Sequence, residues 1–213
     1  VVKDAVFPTS STNNPVLREI SKKGMKKKTF KDLWTIDKSL TWGEISGTSI
    51  KNAVQVYTRS DSCGAAETWA HYLGKKQEDL KGVGVYGDPG LADAVKRDAY
   101  GVVYNNLNYA YDAKTGLPVA GIQIIAIDVN ENGKIDTNED LSTKEKAIKA
   151  VISGTYPSPP ARDLYLITKE NFKEPSKTFV KWILTDGQKY VSEVGYIKIT
   201  QKQIIESLKK IGK

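Results

Sequence analysis

The sequence predicts a globular α/β fold without a membrane span, and three observations support this prediction. Short apolar, β-prone runs alternate with segments whose apolar residues recur at helical spacing, which is typical of layered α/β proteins. The chain has 213 residues and is 39% hydrophobic, enough to form one large or two small domains. No apolar run approaches the roughly 20 residues that a membrane-spanning helix needs, so we expect no membrane span.

Predicted strands and helices cover most of the chain. Strands are expected at residues 1–7, 53–57, 82–86, 101–104, 119–127 and 164–168. Helices are expected at residues 15–24, 29–35, 65–73, 88–96, 105–111, 142–152, 175–184, 188–194 and 200–211. Residues 8–14 are rich in turn formers, and residues 42–45 are expected to form a loop. The proline-rich segment 156–160 is stiff and predicts a domain boundary or a hinge.

A strand, a polar turn and a helix are predicted between residues 57 and 69. The free N–H groups of the first helical turn, and the positive end of the helix dipole, would point into this turn. Arg59 offers a planar fork of donors, Ser62 is expected to cap the helix, and Gly64 lets the backbone approach a bound group. This arrangement favours a small oxyanion. The alternative is an ordinary capped helix, with Arg59 paired to Asp61 at the surface.

Residues 128–139 match the twelve-residue pattern of a calcium-binding loop, D-x-[DN]-x-[DN]-G-x5-E. The segment before the loop reads as a strand instead of the usual helix, and no partner loop is present, so the expected role of Ca²⁺ is structural. The alternative is a polar turn that closes on its own hydrogen bonds without a metal ion. The predicted ligands are the side chains of Asp128, Asn130, Asn132, Asp136 and Glu139 and the carbonyl oxygen of Lys134.

The net charge of +7 raises the possibility of a nucleic-acid or membrane partner, with the densest basic run at residues 22–28. Proteins that read nucleic acids use arginine for base edges and aromatic rings for stacking. Neither is interleaved with the lysines of this run. We therefore expect a solvated face and no nucleic-acid partner.

Catalytic sites find little support in the sequence. Cys63 and His71 are the only cysteine and the only histidine, and they lie eight residues apart on one predicted helix. That separation is about 12 Å at 1.5 Å per residue, which excludes a Cys–His nucleophilic pair within the helix. His71 is instead expected to pair with Glu67 one turn earlier. The sequence therefore predicts a protein that is not an enzyme and needs no organic cofactor.

Residues 59–65, with the sequence RSDSCGA, resemble the R-x-D-G-S-G-T segment of the phosphate-binding proteins that serve ABC importers. Further segments resemble the same family in the same order, so the resemblance covers nearly the whole chain. These segments are residues 28–34, 41–44, 87–90, 99–104, 159–166 and 182–188.

The resemblance implies a type II periplasmic-binding-protein fold, in which a ligand binds between two hinged lobes. By position, Arg59 would bind the anion and Asp61 would orient it, while Gly64 and Ala65 would offer backbone N–H groups. Cys63 and Ala65 stand where the family has serine and threonine. Ser62 is then expected to replace one of the missing hydroxyl donors.

The resemblance also implies a domain organisation. Residues 5–158 would form one complete lobe, and residues 159–213 would form the C-terminal part of the other. The family's N-terminal segment is expected to be missing from this chain, which we interpret as a mature or trimmed product because it does not begin with Met.

The leading hypothesis is an extracytoplasmic solute-binding protein that captures phosphate or a similar oxyanion for an ABC transporter permease. Its location would be periplasmic, extracellular or at the cell surface, with no signal or anchor in this chain. The alternative is a calcium-dependent adhesion or scaffold module on the same fold. A lysine-rich nucleic-acid binder is the least favoured hypothesis.

Overall fold

The computed structural model describes residues 1–36 and 39–212, and it divides the chain into two compact units. The larger unit is Ala5–Ala161. The smaller unit combines Val1–Asp4 with the chain from Arg162 onwards. The sequence had placed the boundary after residue 158.

The described residues form one mixed sheet. Its strands are β1 (Val2–Ser11), β2 (Gln55–Arg59), β3 (Val83–Val85), β4 (Gly101–Asn106), β5 (Ile122–Ile124) and β6 (Ala161–Leu164). Strands β2 to β5 belong to the larger unit, whereas β6 beyond Ala161 belongs to the smaller one. The order is β3-β2-β4-β1-β5, and β6 pairs with β1. Strand β2 runs parallel to both β3 and β4, whereas β1 is antiparallel to β4 and β5. The predicted α/β class is therefore present.

Nine α-helices occur within the described residues. They are α1 (Leu17–Lys23), α2 (Lys27–Thr35), α3 (Trp42–Ser46), α4 (Gly64–Tyr72), α5 (Gly87–Arg97), α6 (Leu107–Ala110), α7 (Lys144–Ser153), α8 (Ser176–Leu184) and α9 (Gln201–Ile211). None of the described helices is long and apolar enough to cross a membrane.

Five segments differ from their predicted structure. Residues 8–11 continue β1, because backbone pairing with β4 and β5 outweighs their local preference for turns. Residues 42–45 lie in α3, which begins with a capping box between Thr41 and Glu44. The strand predicted at residues 119–127 is shorter in the structure, where it is β5. The strand predicted at residues 164–168 lies earlier in the chain, as β6. Instead of the helix predicted at residues 188–194, a 3₁₀ helix forms at Asp186–Tyr190.

Aromatic rings fill the core between α2, α4 and β4. Phe30, Trp34, Trp69 and Tyr104 are all fully buried. The ring centroid of Trp69 lies 5.3 Å from that of Trp34, 5.4 Å from that of Phe30 and 5.8 Å from that of Tyr104. Edge-to-face and stacked contacts of this kind add to the gain from apolar burial. They fix α4, the helix that follows the predicted anion turn, against the sheet.

The smaller unit has a modest core, formed by Val180, Leu184, Ile199 and Ile211. Helix α8 contributes the first two residues and α9 contributes the last. Three rings of this unit stay substantially exposed and contact one another in a row: Phe179, Trp182 and Tyr190.

Candidate functional site

Three parallel strands end at one edge of the sheet, and each is followed by a helix. Strand β2 leads to α4, β3 leads to α5, and β4 leads to α6. In open α/β sheets, ligands bind in the crevice beyond the carboxyl ends of such strands. Arg59, predicted to lie at the end of a strand, is the last residue of β2 and therefore lies at this edge.

Two carboxylates hold the guanidinium group of Arg59. Its Nε donates to Asp61 Oδ1 at 2.8 Å, its Nη2 donates to Asp61 Oδ2, and its Nη1 donates to Asp88 Oδ1. The Arg59 side chain is only 7% exposed. These bonds use three of the five N–H donors of the guanidinium group, which leaves one on each Nη nitrogen. The predicted pair with Asp61 exists, but the arginine side chain is nearly covered and contacts a second carboxylate.

The charges of this cluster stabilise one another. The hydrogen bond from Arg59, helped by the N–H of Gly87 at 3.2 Å, holds the pKa of Asp61 well below its usual range. The hydrogen bond to Asp61 and the charge of Asp88 raise the pKa of Arg59 above its ordinary value, against the opposing effect of burial. Gly87 begins α5, so the positive end of that helix also favours both carboxylates.

Asp88 is a site residue that the sequence analysis missed. It opens a predicted helix, and its place before Pro89 is typical of an N-cap. In the structure α5 already begins at Gly87, and the carboxylate of Asp88 accepts from Arg59 instead. Its other oxygen accepts from Asn106 Nδ2 at 3.0 Å. The available signal was topological: Asp88 follows β3, Asn106 ends β4, and these two strands flank β2.

A cleft of about 790 Å³ opens beside this cluster. Its lining comes from the end of β2, the start of α4 and the segment 77–80: Arg59, Ser60, Ser62, Cys63, Gly64, Glu67, Gln77, Glu78 and Leu80. All the predicted anion-site residues except Asp61 and Ala65 line it. Asp61 instead contacts Arg59, and the buried Ala65 lies one residue into α4.

The backbone amides of the turn are only partly engaged by the protein. The N–H of Cys63 donates to Gln77 Oε1 at 3.1 Å. Within the described part of the chain, the N–H groups of Ser62 and Ala65 make no hydrogen bond. Two donors at the start of α4 therefore remain available to a bound group.

The prediction that Ser62 caps α4 is wrong. The N-cap is Cys63, whose Sγ accepts from the N–H of Ala66 at 3.4 Å. The helix begins at Gly64, one residue too late for the Ser62 hydroxyl to take the capping position. Ser62 is exposed and lines the cleft, where its hydroxyl can serve a ligand.

The predicted contact of His71 is confirmed. His71 Nε2 lies 2.8 Å from Glu67 Oε1 on the exposed face of α4. This histidine is therefore a surface residue one turn from a carboxylate.

The loop at residues 128–139 closes on its own donors. Asp128 accepts from the N–H groups of Asn132 at 3.0 Å and Gly133 at 2.9 Å. Glu139 accepts from the N–H groups of Val129 at 2.9 Å and Asp136 at 3.1 Å. These hydrogen bonds are those of the metal-free alternative, a turn that closes on itself. The same turn brings together several carboxylate and amide oxygens, which are the ligands that Ca²⁺ prefers.

A cation of the protein also contacts one of the predicted calcium ligands. The carboxylate of Asp136 accepts from the side-chain amides of Asn130 and Asn132 at 2.8 Å each, and it lies 3.2 Å from Lys134 Nζ. The hydrogen bond from Asn130, followed by those from Lys134 and Asn132, lowers the pKa of Asp136. Across residues 1–36 and 39–212, no three His, Cys, Asp or Glu side chains cluster as metal ligands do. Calcium binding stays a prediction.

A comparison with protein families decides the classification. The family model described as the PBP superfamily domain matches residues 1–187. The chain belongs to the PBP superfamily. The predicted resemblance and the predicted fold class are thereby confirmed.

One curated relative of this PBP-superfamily chain is the phosphate-binding protein PstS of Methanocaldococcus jannaschii. The two are 31% identical over a match that covers 51% of this chain and 33% of the relative. The chain thus spans about a third of the length of the curated relative that it matches.

Solved structures resemble the whole chain. A possible phosphate-binding protein from Planctomyces limnophilus has a TM-score of 0.69 and 20% identity, covering 100% of this chain and 70% of its own. A putative phosphate ABC transporter substrate-binding protein from Clostridium perfringens, solved with bound phosphate, has a TM-score of 0.66 and 22% identity, covering 93% and 70%. At such identities the likeness establishes the fold.

Proposed function

We propose that this chain binds inorganic phosphate, or a similar oxyanion, as the solute-binding component of an ABC importer. The observation that carries the proposal is the buried guanidinium of Arg59, which two carboxylates fix at the edge of a wide cleft. A structural arginine at the surface would need neither the second carboxylate nor the cleft. The names of the relatives, several of them phosphate-binding proteins, support the same class of ligand.

The donors of the site suit a tetrahedral oxyanion. The remaining N–H groups on the two Nη nitrogens of Arg59 can form a bidentate contact with two oxygens. The free N–H groups of Ser62 and Ala65, the Ser62 hydroxyl and the positive end of α4 can take the others. All of these donors belong to the predicted set of Arg59, Asp61, Ser62, Cys63, Gly64 and Ala65, in which Asp61 orients the arginine.

The affinity must come from directed hydrogen bonds more than from net charge. Arg59 carries one positive charge, and Asp61 and Asp88 together carry two negative charges. Amides and helix ends that are fixed in place stabilise an anion without any reorganisation when it binds. Such a site binds and releases an anion, and none of its groups has a catalytic role in this proposal.

The remaining features of the proposal rest on the relatives' names. A solute-binding protein of this kind works outside the cytoplasm and delivers its ligand to a membrane permease, which would be the macromolecular partner of this chain. No described helix is long and apolar enough to cross a membrane.

Isothermal titration with phosphate, sulfate, tungstate and molybdate tests the proposal and ranks the ligands. We expect phosphate to bind and Arg59→Lys, which keeps the charge but loses the fork, to weaken binding about tenfold or more. Arg97→Ala, at an exposed position on α5, is the matched control and should bind as the unmodified chain does. If Arg59→Lys bound all four anions as strongly as the unmodified chain does, the proposed site would be refuted.

A further inference from the structure

We propose that Asp88 is a positioning residue of this anion site: held by Asn106, it fixes the Arg59 guanidinium in the orientation that presents its free N–H groups to the cleft. The inference rests on the proposed function and adds to it a second carboxylate from another element. No part of the sequence pattern around Arg59 indicates this role.

Two different elements hold the guanidinium group of Arg59. Asp61 is two residues away on the same turn, and it contacts Nε and Nη2. Asp88 is 29 residues away, at the start of α5, and it contacts Nη1. Contacts from two different elements determine both the position of the guanidinium group and the direction of its plane.

Asp88 is itself held in place. Its Oδ2 accepts from Asn106 Nδ2 at 3.0 Å, and Asn106 ends β4, a strand parallel to β2. The adjacent N–H of Gly87 donates to Asp61 at 3.2 Å. The Arg59–Asp88–Asn106 arm therefore joins the ends of the neighbouring strands, and α5 cannot shift without moving the guanidinium group.

Ordering a long side chain has a cost in entropy. A free arginine loses much rotamer freedom when it must hold one geometry for a ligand. In this protein the Arg59–Asp88–Asn106 contacts order the arginine side chain before any anion binds. The free energy of binding therefore does not include this loss of side-chain entropy. A fixed supporting contact of this kind is what keeps a binding group within a fraction of an ångström of its working position.

Asn106 also makes a discriminating variant possible. Its Oδ1 is buried and has no partner among the described residues. In Asp88→Asn, the new Oδ1 still accepts from Arg59, and its Nδ2 can donate to Asn106 Oδ1 once the Asn106 amide turns over. Asp88→Asn thus keeps the arm, whereas Asp88→Ala removes it.

The experiment compares phosphate affinity among variants of the 213-residue chain by titration calorimetry. We expect Asp88→Ala to bind about tenfold more weakly and Asp88→Asn to stay within about threefold of the unmodified chain. Asn106→Ala should weaken binding less than Asp88→Ala, and the double variant should be no weaker than Asp88→Ala alone because both residues form one arm. Asp93→Ala, exposed on the same helix, is the matched control. Equal affinity of Asp88→Ala and the unmodified chain would overturn the inference while leaving the proposed function intact.

A second readout does not require the ligand. In ¹H–¹⁵N spectra without phosphate, the side-chain N–H signals of Arg59 should be sharp and slowly exchanging. Asp88→Ala should broaden the Nη signals and speed their exchange, and Asp88→Asn should restore them. If the unmodified chain binds no anion, the proposed function fails, and these spectra still decide whether the arm holds Arg59. Unchanged Arg59 signals in Asp88→Ala would overturn the inference.

Discussion

The hydroxyl oxygen of Tyr104 accepts a hydrogen bond from the backbone N–H of Arg59 at 3.1 Å and lies 2.9 Å from Thr58 Oγ1. Tyr104 is fully buried on β4. Burial away from solvent is the main reason that the pKa of this phenol is raised to about 12. One neutral side chain therefore fixes the backbone at the point where β2 ends and the candidate site begins.

Tyr104→Phe should destabilise the protein, because it leaves the N–H of Arg59 and the buried hydroxyl of Thr58 without this partner. We expect a loss of about 1–3 kcal/mol in the free energy of unfolding, measured by urea titration. Tyr86→Phe, at a residue that is 79% exposed, is the control and should stay within about 0.5 kcal/mol. Equal stability of the two variants would contradict the anchoring role.

The two central tryptophans give a matched comparison. Trp34 and Trp69 are both 0% exposed. The Nε1 of Trp34 donates to the Tyr57 carbonyl at 3.1 Å, whereas Trp69 Nε1 has no partner within the described chain. Each change to phenylalanine leaves a similar cavity, but only Trp34→Phe breaks a hydrogen bond. We expect Trp34→Phe to cost about 1 kcal/mol more than Trp69→Phe in urea unfolding; the reverse order would contradict this assignment.

Asp61 should make stability depend on acid pH. Its folded-state pKa lies below its ordinary value, so its contribution is fully present above the unfolded-state pKa of about 3.9 and is lost as the pH falls through the folded-state pKa. Asp61→Asn cannot titrate. We therefore expect the stability gap between the unmodified chain and Asp61→Asn to be widest near neutral pH and to narrow below about pH 4.

Urea unfolding at a series of pH values measures this gap. Asp93→Asn, which changes an exposed carboxylate on α5, should show a small gap with little pH dependence. A gap for Asp61→Asn that stays constant from neutral to strongly acid pH would show that the lost contact is not ionic.

Cys63 offers a direct report on the cleft. It is the only cysteine of the chain, and it lines the cleft beside Arg59. If phosphate occupies the cleft, saturating phosphate should slow alkylation of Cys63 by iodoacetamide several-fold. Intact-protein mass spectrometry measures the alkylation rate. Sodium chloride at equal ionic strength is the control. Identical alkylation rates with and without phosphate, in a chain shown to bind it, would place the anion elsewhere.

Calcium binding at residues 128–139 is tested by thermal unfolding with Ca²⁺ or with a chelator. A ligand at 100 times its dissociation constant should add about 2.7 kcal/mol to the free energy of unfolding. Glu139→Gln should abolish the gain, because that residue supplies the bidentate carboxylate of such loops. Glu131→Gln changes an exposed residue outside the predicted ligand set and should retain the gain. The same unfolding temperature with Ca²⁺ and with chelator would show that the loop is a self-bonded turn.

Local signals predicted much of the candidate site. Apolar spacing placed the helix after Arg59 to within one residue, and the side chain and position of Arg59 suggested an anion. The same signals failed for the cap, where a choice between Ser62 and Cys63 depends on which residue begins the helix. Helix propensity and apolar spacing do not define the first residue of a helix to better than one or two positions.

Contacts across the fold were beyond sequence reasoning. Residues 8–11 look like a turn until β4 and β5 supply hydrogen-bonding partners on both sides. Asp88 looks like a helix cap until the parallel pairing of β2 and β3 brings its carboxylate to Arg59. Both misreadings have one origin: the deciding partner is distant in sequence.

By itself, the sequence determined the α/β class, the order of most elements and the arginine at a strand end, because these follow from short-range periodicity and residue chemistry. The tertiary structure decided that the Arg59 side chain is nearly covered, that two carboxylates hold it and that a cleft opens beside it. Those properties depend on how parallel strands align their ends, and strand alignment is set by hydrogen bonds and packing between segments far apart in the chain.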